Sequence, residues 1–346
     1  MDFVACSAID NLPPGAEALF AQSEKRSLFL SRPWFEILIE RGLQDTASVL
    51  FACVIDSNRV LAMLPLVNHG NGTWYALKHR YGAFYSVLFA GDDKDAALEC
   101  LVQGLVGSGI NSLLLEPIDG NDETLNQLQD KLEAAGYGCQ RNFRFYNWIL
   151  EVEENNYDKY QENQPARLRN TISRKKRKLE REHGCNIRLF CGDEATVAMC
   201  DYHAVYTRSW KASEQYLDFL DGMVKRFSET GWTRLAILYA GGSPVAAQLW
   251  FVKHGRANIF RLAYDASWRQ YSPGTILTDY LMRYVIETDR VVEVDFLTGN
   301  EAYKQEWMSG RRERLALSCV RKPKLDGRFG RIRESIGSGL RKLNLG

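Results

Sequence analysis

The chain has 346 residues, of which 45 % are apolar and 25 % charged. That is the make-up of a folded globular protein and excludes collagen-like, low-complexity and disordered classes. No stretch approaches the roughly 18 consecutive apolar residues of a membrane-spanning helix, and the start MDFVACSAIDNLPPGAE has neither the basic head and apolar core of a signal peptide nor the composition of a transit peptide, so a cytoplasmic protein is expected. The net charge of +1 hides an asymmetry: residues 1–150 carry 11 Lys and Arg against 18 Asp and Glu, and residues 151–346 carry 33 against 25. An anionic partner is therefore expected to meet the second half.

In chain order, Ser31 and Pro33 open a helix with Trp34, Ile37 and Leu38 on its buried face. SVLFACVID and RVLAMLPLV then flank Ser57-Asn58 as a hairpin, and short β or irregular pieces follow at 75–78 and 84–89. Helices are predicted over 95–107 and 123–135, with the strand NSLLLEPI between them and NWILEVE closing the unit. Gly104 to Gly109 reads as a helix cap. An antiparallel hairpin followed by αβαβ elements is an α+β, mixed-sheet layout within the broader α/β class.

The second half repeats that plan without a visible sequence repeat. A basic helix over 167–181, with eight Lys or Arg against one Glu, offers only Leu168, Ile172 and Leu179 as an apolar stripe. It can serve as a solvated linker, face the phosphates of an anionic ligand or acceptor, or contact RNA; the absence of interleaved aromatics speaks against base stacking. The strand NIRLF, helices over 194–211 and 215–229, and a hairpin over Gly241-Gly242-Ser243-Pro244 follow, and RERLALSCVRK ends the sheet. The domain layout read from this is 1–152, a basic linker 153–186, a second domain 187–322, and a basic, glycine-broken tail 323–346 that either frays or rests on an anionic membrane surface. Eight scattered cysteines suit reduced, mostly buried thiols, and Cys185, Cys191, Cys200 and His203 match no zinc spacing, so no metal is expected.

The segment from Ala257 to Trp307 carries the chemistry. It reads as a strand (ANIFRLAYD), the loop ASWRQYSPGT, an amphipathic helix, a second strand (VVEVDFLTG) and a short helix (NEAYKQEW). Ser272 is placed as N-cap and Pro273 as first helical residue, which leaves the N–H groups of Gly274, Thr275 and Ile276 unpaired at the positive end of the helix dipole. Arg269, Gln270 and Tyr271 lie just before it. The same residues also describe a well-capped helix start that holds no ligand.

Tyr264-Asp265, Tyr271 to Thr275, Asp295-Phe296-Leu297-Thr298-Gly299 and Glu301-Ala302-Tyr303-Lys304 with Trp307 together resemble the cofactor-binding half of GNAT acyltransferases. The likeness is to their BioF2-like or CelD-like branch, which is related to the FemAB peptidyltransferases. The phosphate loop here has one glycine and a proline, where ordinary GNATs are richer in glycine. The resemblance implies tandem GNAT-like domains, each a mostly antiparallel twisted sheet flanked by helices, and an acetyl-CoA or other acyl-CoA co-substrate at Arg269, Gln270, Tyr271, Ser272, Gly274, Thr275 and Ile276. It implies an acceptor amine or hydroxyl on an envelope or exopolysaccharide sugar precursor. The alternatives are a FemAB-like transferase that uses aminoacyl-tRNA and an inactive binding scaffold.

No G-x-S-x-G signature occurs, so direct attack on a thioester is expected rather than an acyl-enzyme. Tyr303 is the candidate acid for the leaving thiolate, or else a tyrosine packed on the sheet. Glu301 or Asp295 is the candidate base, unless Asp295 is a buried residue holding a loop. Arg208 and Trp210 are candidates for the acceptor pocket, with a core role as the commoner fate of the tryptophan. His203 and His254 show no partner from sequence.

Overall fold

The computed structural model describes residues 1–91, 93–211 and 214–322. Among the described residues, thirteen strands join in one sheet: β1 (Asp2–Cys6), β2 (Ser48–Asp56), β3 (Arg59–Asn68), β4 (Trp74–Ala76), β5 (Leu88–Phe89), β6 (Ser112–Asp119), β7 (Tyr137–Glu151), β8 (Asn186–Phe190), β9 (Thr233–Ala240), β10 (Ser243–Lys253), β11 (Arg256–Tyr264), β12 (Glu293–Asp295) and β13 (Gly310–Arg321). Their order is β1-β2-β3-β4-β6-β13-β7-β12-β11-β10-β9-β8, with β5 against β3. Only β4/β6 and β11/β12 pair in parallel, so the fold is a mostly antiparallel mixed α/β sheet. Among the described residues nine α-helices flank it: α1 (Ala16–Ser23), α2 (Arg32–Ile37), α3 (Lys94–Gly107), α4 (Glu123–Ala134), α5 (Tyr157–Glu162), α6 (Ala166–His183), α7 (Asp193–Thr207), α8 (Leu217–Glu229) and α9 (Pro273–Glu287).

Local rules account for many of these elements. Ser31 caps α2 by accepting the Trp34 amide at 3.3 Å, and Trp34, Ile37 and Leu38 are buried as their spacing requires. The hairpin β9/β10 turns through Gly241 and Gly242, both at positive φ. On α6 the three apolar residues Leu168, Ile172 and Leu179 are all buried, each contributing about 1.5–3 kcal/mol, so even this highly charged helix is pinned to the protein.

The structure corrects the expectation for the last strand. β13 does not end the second-half sheet; it inserts between β6 and β7, pairing with both over most of its length. β7 is correspondingly longer than NWILEVE: it pairs with β13 from Tyr137 to Ile149 and with β12 through Ile149 to Glu151. The sheet therefore runs unbroken from residues 1–152 into residues 187–322. The expectation of eight reduced thiols is also corrected, because Cys139 and Cys319 face each other across β7 and β13 as a disulfide; the other six cysteines are free. Gly104 to Gly109 does close α3: the Ser108 and Ile110 amides donate to the Gly104 and Leu105 carbonyls, and Gly109 takes positive φ. Gly104 itself lies in the last turns, where the Phe3 ring packs so closely that a Cβ would overlap it. VVEVDFLTG shortens to three strand residues, since Arg290 and Leu297 both take positive φ. The tail 323–346 lies outside the described residues, and no described helix is long and apolar enough to cross a membrane.

The junction is fixed by a buried polar chain. Asn147, fully buried on β7, donates to Asp295 Oδ1 and, at 2.9 Å, to the Leu297 carbonyl, and accepts from Arg314 Nη2 at 2.8 Å. Removing the amide would leave the buried Asp295 carboxylate with only the Leu297 amide and Arg314 with only Asp119, and the Leu297 carbonyl without its donor. Asn147→Ala should therefore lower the unfolding free energy by about 3 kcal/mol in urea denaturation.

Candidate functional site

The site forms where two parallel strands part. β11 pairs with β12 only from Arg256–Asn258 to Glu293–Asp295. Beyond that point Asp295 Oδ1 accepts the Leu297 amide at 2.6 Å, Leu297 turns into the left-handed region at φ 56, and the chain leaves the sheet. β11 continues to Tyr264, held by β10 on its other side, so residues 259–264 present an open strand edge of amide donors and acceptors.

A cavity of about 430 Å³ lies in this fork. Ile259 to Leu262 form one wall, Phe296 to Thr298 another, and Glu301, Tyr303 and Lys304 a third. The remaining wall joins the end of the α7–α8 connection, with Lys211 and Glu214, to Arg80 and Tyr81 of the first half. Arg261 stands over the Tyr81 ring at 4.1 Å and 3.1 Å from Glu214 Oε2. Tyr81 donates to the other oxygen of Glu214. The approach of Arg261 to Glu214 is poorly aligned: Arg261 Nε and Glu214 Oε2 are buried with no hydrogen-bond partner among the described residues, which leaves both able to serve a ligand.

Electrostatics in the cleft are unusual for a surface of this polarity. Burial, reinforced by Arg261, brings the Lys211 ammonium down to about 8, so a neutral amine is accessible near physiological pH. Tyr303 is 43 % exposed, its ring edge-on to Phe296 at 5.7 Å; partial desolvation and the neighbouring Glu301 carboxylate push its phenol above the usual tyrosine range. Desolvation acts upward on Glu301, but its bonds and ion pair with Lys304, 2.9 Å away, outweigh that and hold it below the usual carboxylate range. Lys304 is itself buried and is anchored by the Thr298 carbonyl. Burial, with Arg80 adding to it, lowers His79 behind Tyr81 to about 4, so it stays neutral and stacks on Phe219 at 3.9 Å.

The start of α9 differs from expectation in two respects. Ser272 adopts a left-handed conformation, and its hydroxyl caps nothing; its carbonyl instead accepts the Ile276 amide at 3.2 Å. Of the three amides expected to be unpaired, Ile276 is thus taken, while those of Gly274 and Thr275 donate to no group among the described residues. The Gly274 carbonyl is fixed from beneath by Gln248 Nε2 at 2.9 Å and by the Thr278 hydroxyl at 3.0 Å. Tyr264 packs against Gly274, where a Cβ would stand 3.2 Å from its ring, and Trp210, 53 % exposed, stacks on Tyr264 at 4.3 Å. Arg269 and Gln270 are exposed.

Other predicted residues are committed to the protein. Tyr271 is buried, and its hydroxyl joins His183 at 2.8 Å and Glu182 at 3.0 Å. This binds α6 to the turn 266–271, with Lys178 over the ring at 4.9 Å and Lys175 on the Gln270 carbonyl. Arg208 pairs with Asp265 at 2.7 Å. Asp295 is buried, is raised above the usual carboxylate range chiefly by desolvation, and lines a different cavity. His203 and His254 find Asp221 and Glu24, at 2.8 and 2.9 Å. Sequence reasoning did not find Lys211, Glu214, Arg261, Arg80 or Tyr81. Arg80-Tyr81 is some 130 residues distant in sequence from Glu214, and no motif links them.

Comparison with known proteins bears on this arrangement. Residues 166–305 match the family model described as Acetyltransferase (GNAT) domain. The structure of FemX superposes with a TM-score of 0.64 at 10 % identity, covering 92 % of this chain and 97 % of that one. L-PGS from Bacillus licheniformis superposes at 0.53 and 12 % identity, with 83 % and 90 % covered. A conserved protein of unknown function from Bacteroides thetaiotaomicron superposes at 0.55 and 14 % identity, with 88 % and 95 % covered. At such identities the likeness is one of fold. No curated protein matches the chain.

A lysine lowered to about 8 in the folded state binds fewer protons than its unfolded counterpart between that pH and about 10.4. Stability should therefore rise with pH across this window as the cost of a buried ammonium is relieved. Lys211→Met should flatten that rise, as read from urea unfolding between pH 7.5 and 10.5.

Proposed function

For a chain whose residues 166–305 match the GNAT acetyltransferase family model, we propose an acyl-CoA-dependent N- or O-acyltransferase that passes the acyl group directly to its acceptor. The fork between β11 and β12 is the observation that carries this reading. A strand edge open over 259–264 can hydrogen-bond the amides of an extended pantetheine arm, and it leads from the α9 start, with the two free amides of Gly274 and Thr275 for a diphosphate, into the polar cavity. Arg269 and the cationic face of α6 stand beside that helix start.

In this reading the acceptor lies against Glu214, Arg261 and the aromatic wall. Its nitrogen or oxygen attacks the thioester carbonyl, its proton passes to a base, the carbon–sulfur bond breaks, and the thiolate takes a proton from Tyr303. The base is assigned to Glu301 or to neutral Lys211, which sense each other's charge across the cavity. Asp295 is not assigned that role, since one of its oxygens is held by Asn147 and the Leu297 amide. Hydrogen-bonding groups among Tyr81, Tyr206 and Tyr216 suit a sugar acceptor, the class implied by the sequence resemblance.

A second reading, transfer from aminoacyl-tRNA, is favoured by α6, whose cationic face is exposed beside the turn 266–271 and suits a phosphate backbone. Charged tRNA, and not acetyl-CoA, would then stabilise the protein. An inactive scaffold would release no thiol when acceptor is added.

Acetyl-CoA at 100 times its dissociation constant should stabilise the fold by about 2.7 kcal/mol, read as a raised melting temperature. Gly274→Val should weaken that binding at least tenfold while melting stays cooperative, its side chain displacing the Tyr264 ring and filling the diphosphate space; unchanged affinity overturns the placement. Tyr303→Phe should cut kcat by about 10²-fold, measured as acceptor-dependent thiol release, with acetyl-CoA affinity retained.

A further inference from the structure

Two lysines line the acyl-transfer cavity, and the fold uses them differently. Lys304 is buried, paired with Glu301 at 2.9 Å and anchored on the Thr298 carbonyl. Lys211 is half-buried. Its one hydrogen bond among the described residues is made by the backbone amide, to Ser209 Oγ at 3.3 Å. The Nζ atom makes no ion pair there and stands instead over the rings of Trp210, at 5.6 Å, and Tyr206, at 6.0 Å. Of the two amines in the cleft, this is the one left uncommitted.

Its position matters as much as its freedom. Trp210 stacks on Tyr264 at 4.3 Å, and Tyr264 packs on Gly274, so Nζ is two rings removed from the start of α9. On its other side it faces the charges of Arg261, Glu214, Glu301 and Lys304, and Glu301 senses it in turn. The amine therefore lies between the amides that suit a diphosphate and the Tyr303 hydroxyl that suits a leaving sulfur. Desolvation first, then Arg261, brings its ammonium down to about 8. About a tenth of it is then neutral at pH 7, against less than about a thousandth of an exposed lysine, and the neutral form is the nucleophile.

We propose that Lys211 is a self-acylation site, whose Nζ takes the acyl group when acyl-CoA is bound and no acceptor fills the cleft. This inference rests on the acyl-CoA reading of the cleft. The nitrogen attacks the thioester carbonyl, the carbon–nitrogen bond forms as the carbon–sulfur bond breaks, one proton leaves Nζ by way of Glu301, and the thiolate takes one from Tyr303. The products are an N-acyl-lysine and a free thiol, with no change of oxidation state. An amide is far less reactive than a thioester, so the modified lysine is an end state and not an intermediate of transfer. It removes a cation and a candidate base, and it puts the acyl group where an acceptor would sit.

Mass spectrometry of the full chain incubated with acetyl-CoA, and with no acceptor, tests the proposal. One acetyl group should map to Lys211 in a peptide digest, formed about tenfold faster than on any other lysine, with a burst of one thiol per chain. Lys211→Arg should lose both signals, and Gly274→Val should slow both in step with its weaker cofactor binding. The wild-type label is read directly, so the result does not hang on either variant folding. If acetyl-CoA raises the melting temperature while Lys211 stays unmodified, this proposal falls and the cofactor reading stands; if acetyl-CoA neither raises it nor labels Lys211, both fall. Acetylation spread evenly over surface lysines, or a Lys211 label that a folded Gly274→Val leaves unchanged, would show reaction from free solution and overturn the proposal.

Discussion

Three residue pairs tie β12 to β11, and there the ladder stops because the Asp295 carboxylate takes the amide of Leu297. That amide could otherwise have continued the strand. One side-chain hydrogen bond inside the sheet thus turns the backbone at a non-glycine residue with positive φ, a conformation the chain keeps only where its surroundings enforce it. The enforcement comes from Asn147 and Arg314, which complete the polar chain behind Asp295. The open edge of β11 and the cavity in the fork both follow from this interruption.

The same polar chain explains why the two halves share one sheet. Asn147 belongs to β7, Arg314 to β13 and Asp295 to β12, adjacent strands that come from widely separated parts of the sequence. β13 leaves the second half to lie between β6 and β7, where the Cys139–Cys319 disulfide crosses it. Rigidity at this seam serves the cleft directly, because its walls come from both halves. Tyr81 meets Glu214 and Arg261, and Arg80 meets Gln215, from opposite halves of the chain. A cation pressed on an aromatic ring, a carboxylate shared between them and a half-buried lysine make a pocket of opposed charges.

Charge elsewhere is arranged with equal economy. The basic helix α6 buries its few apolar residues and spends Lys175, Lys178, Glu182 and His183 on the turn before α9. Its exposed cations thereby remain beside the turn 266–271 that leads into α9. Beyond the turn 302–306 the surface around a second cavity is acidic, with Glu151, Glu153, Glu154 and Glu306 on its border.

What the sequence by itself determined was local and periodic. Helix faces such as that of Trp34, Ile37 and Leu38, the hairpins at Ser57-Asn58 and Gly241-Gly242, the strand–loop–helix–strand order from Ala257 and the glycine at the start of α9 all follow from nearest-neighbour sterics and amphipathic spacing; the likeness to GNAT acyltransferases came from motif resemblance, and residues 166–305 match that family model. Tertiary structure alone decided the destination of β13, the pairing of Cys139 with Cys319, the inward turn of Tyr271 and the αL backbone at Ser272 that undid its expected cap. It also assembled Lys211, Glu214, Arg261 and Tyr81 into one cleft. The physical reason is range: a strand's partner, a thiol's neighbour and an ion's desolvation depend on residues brought near by folding, and no spacing along the chain encodes that distance.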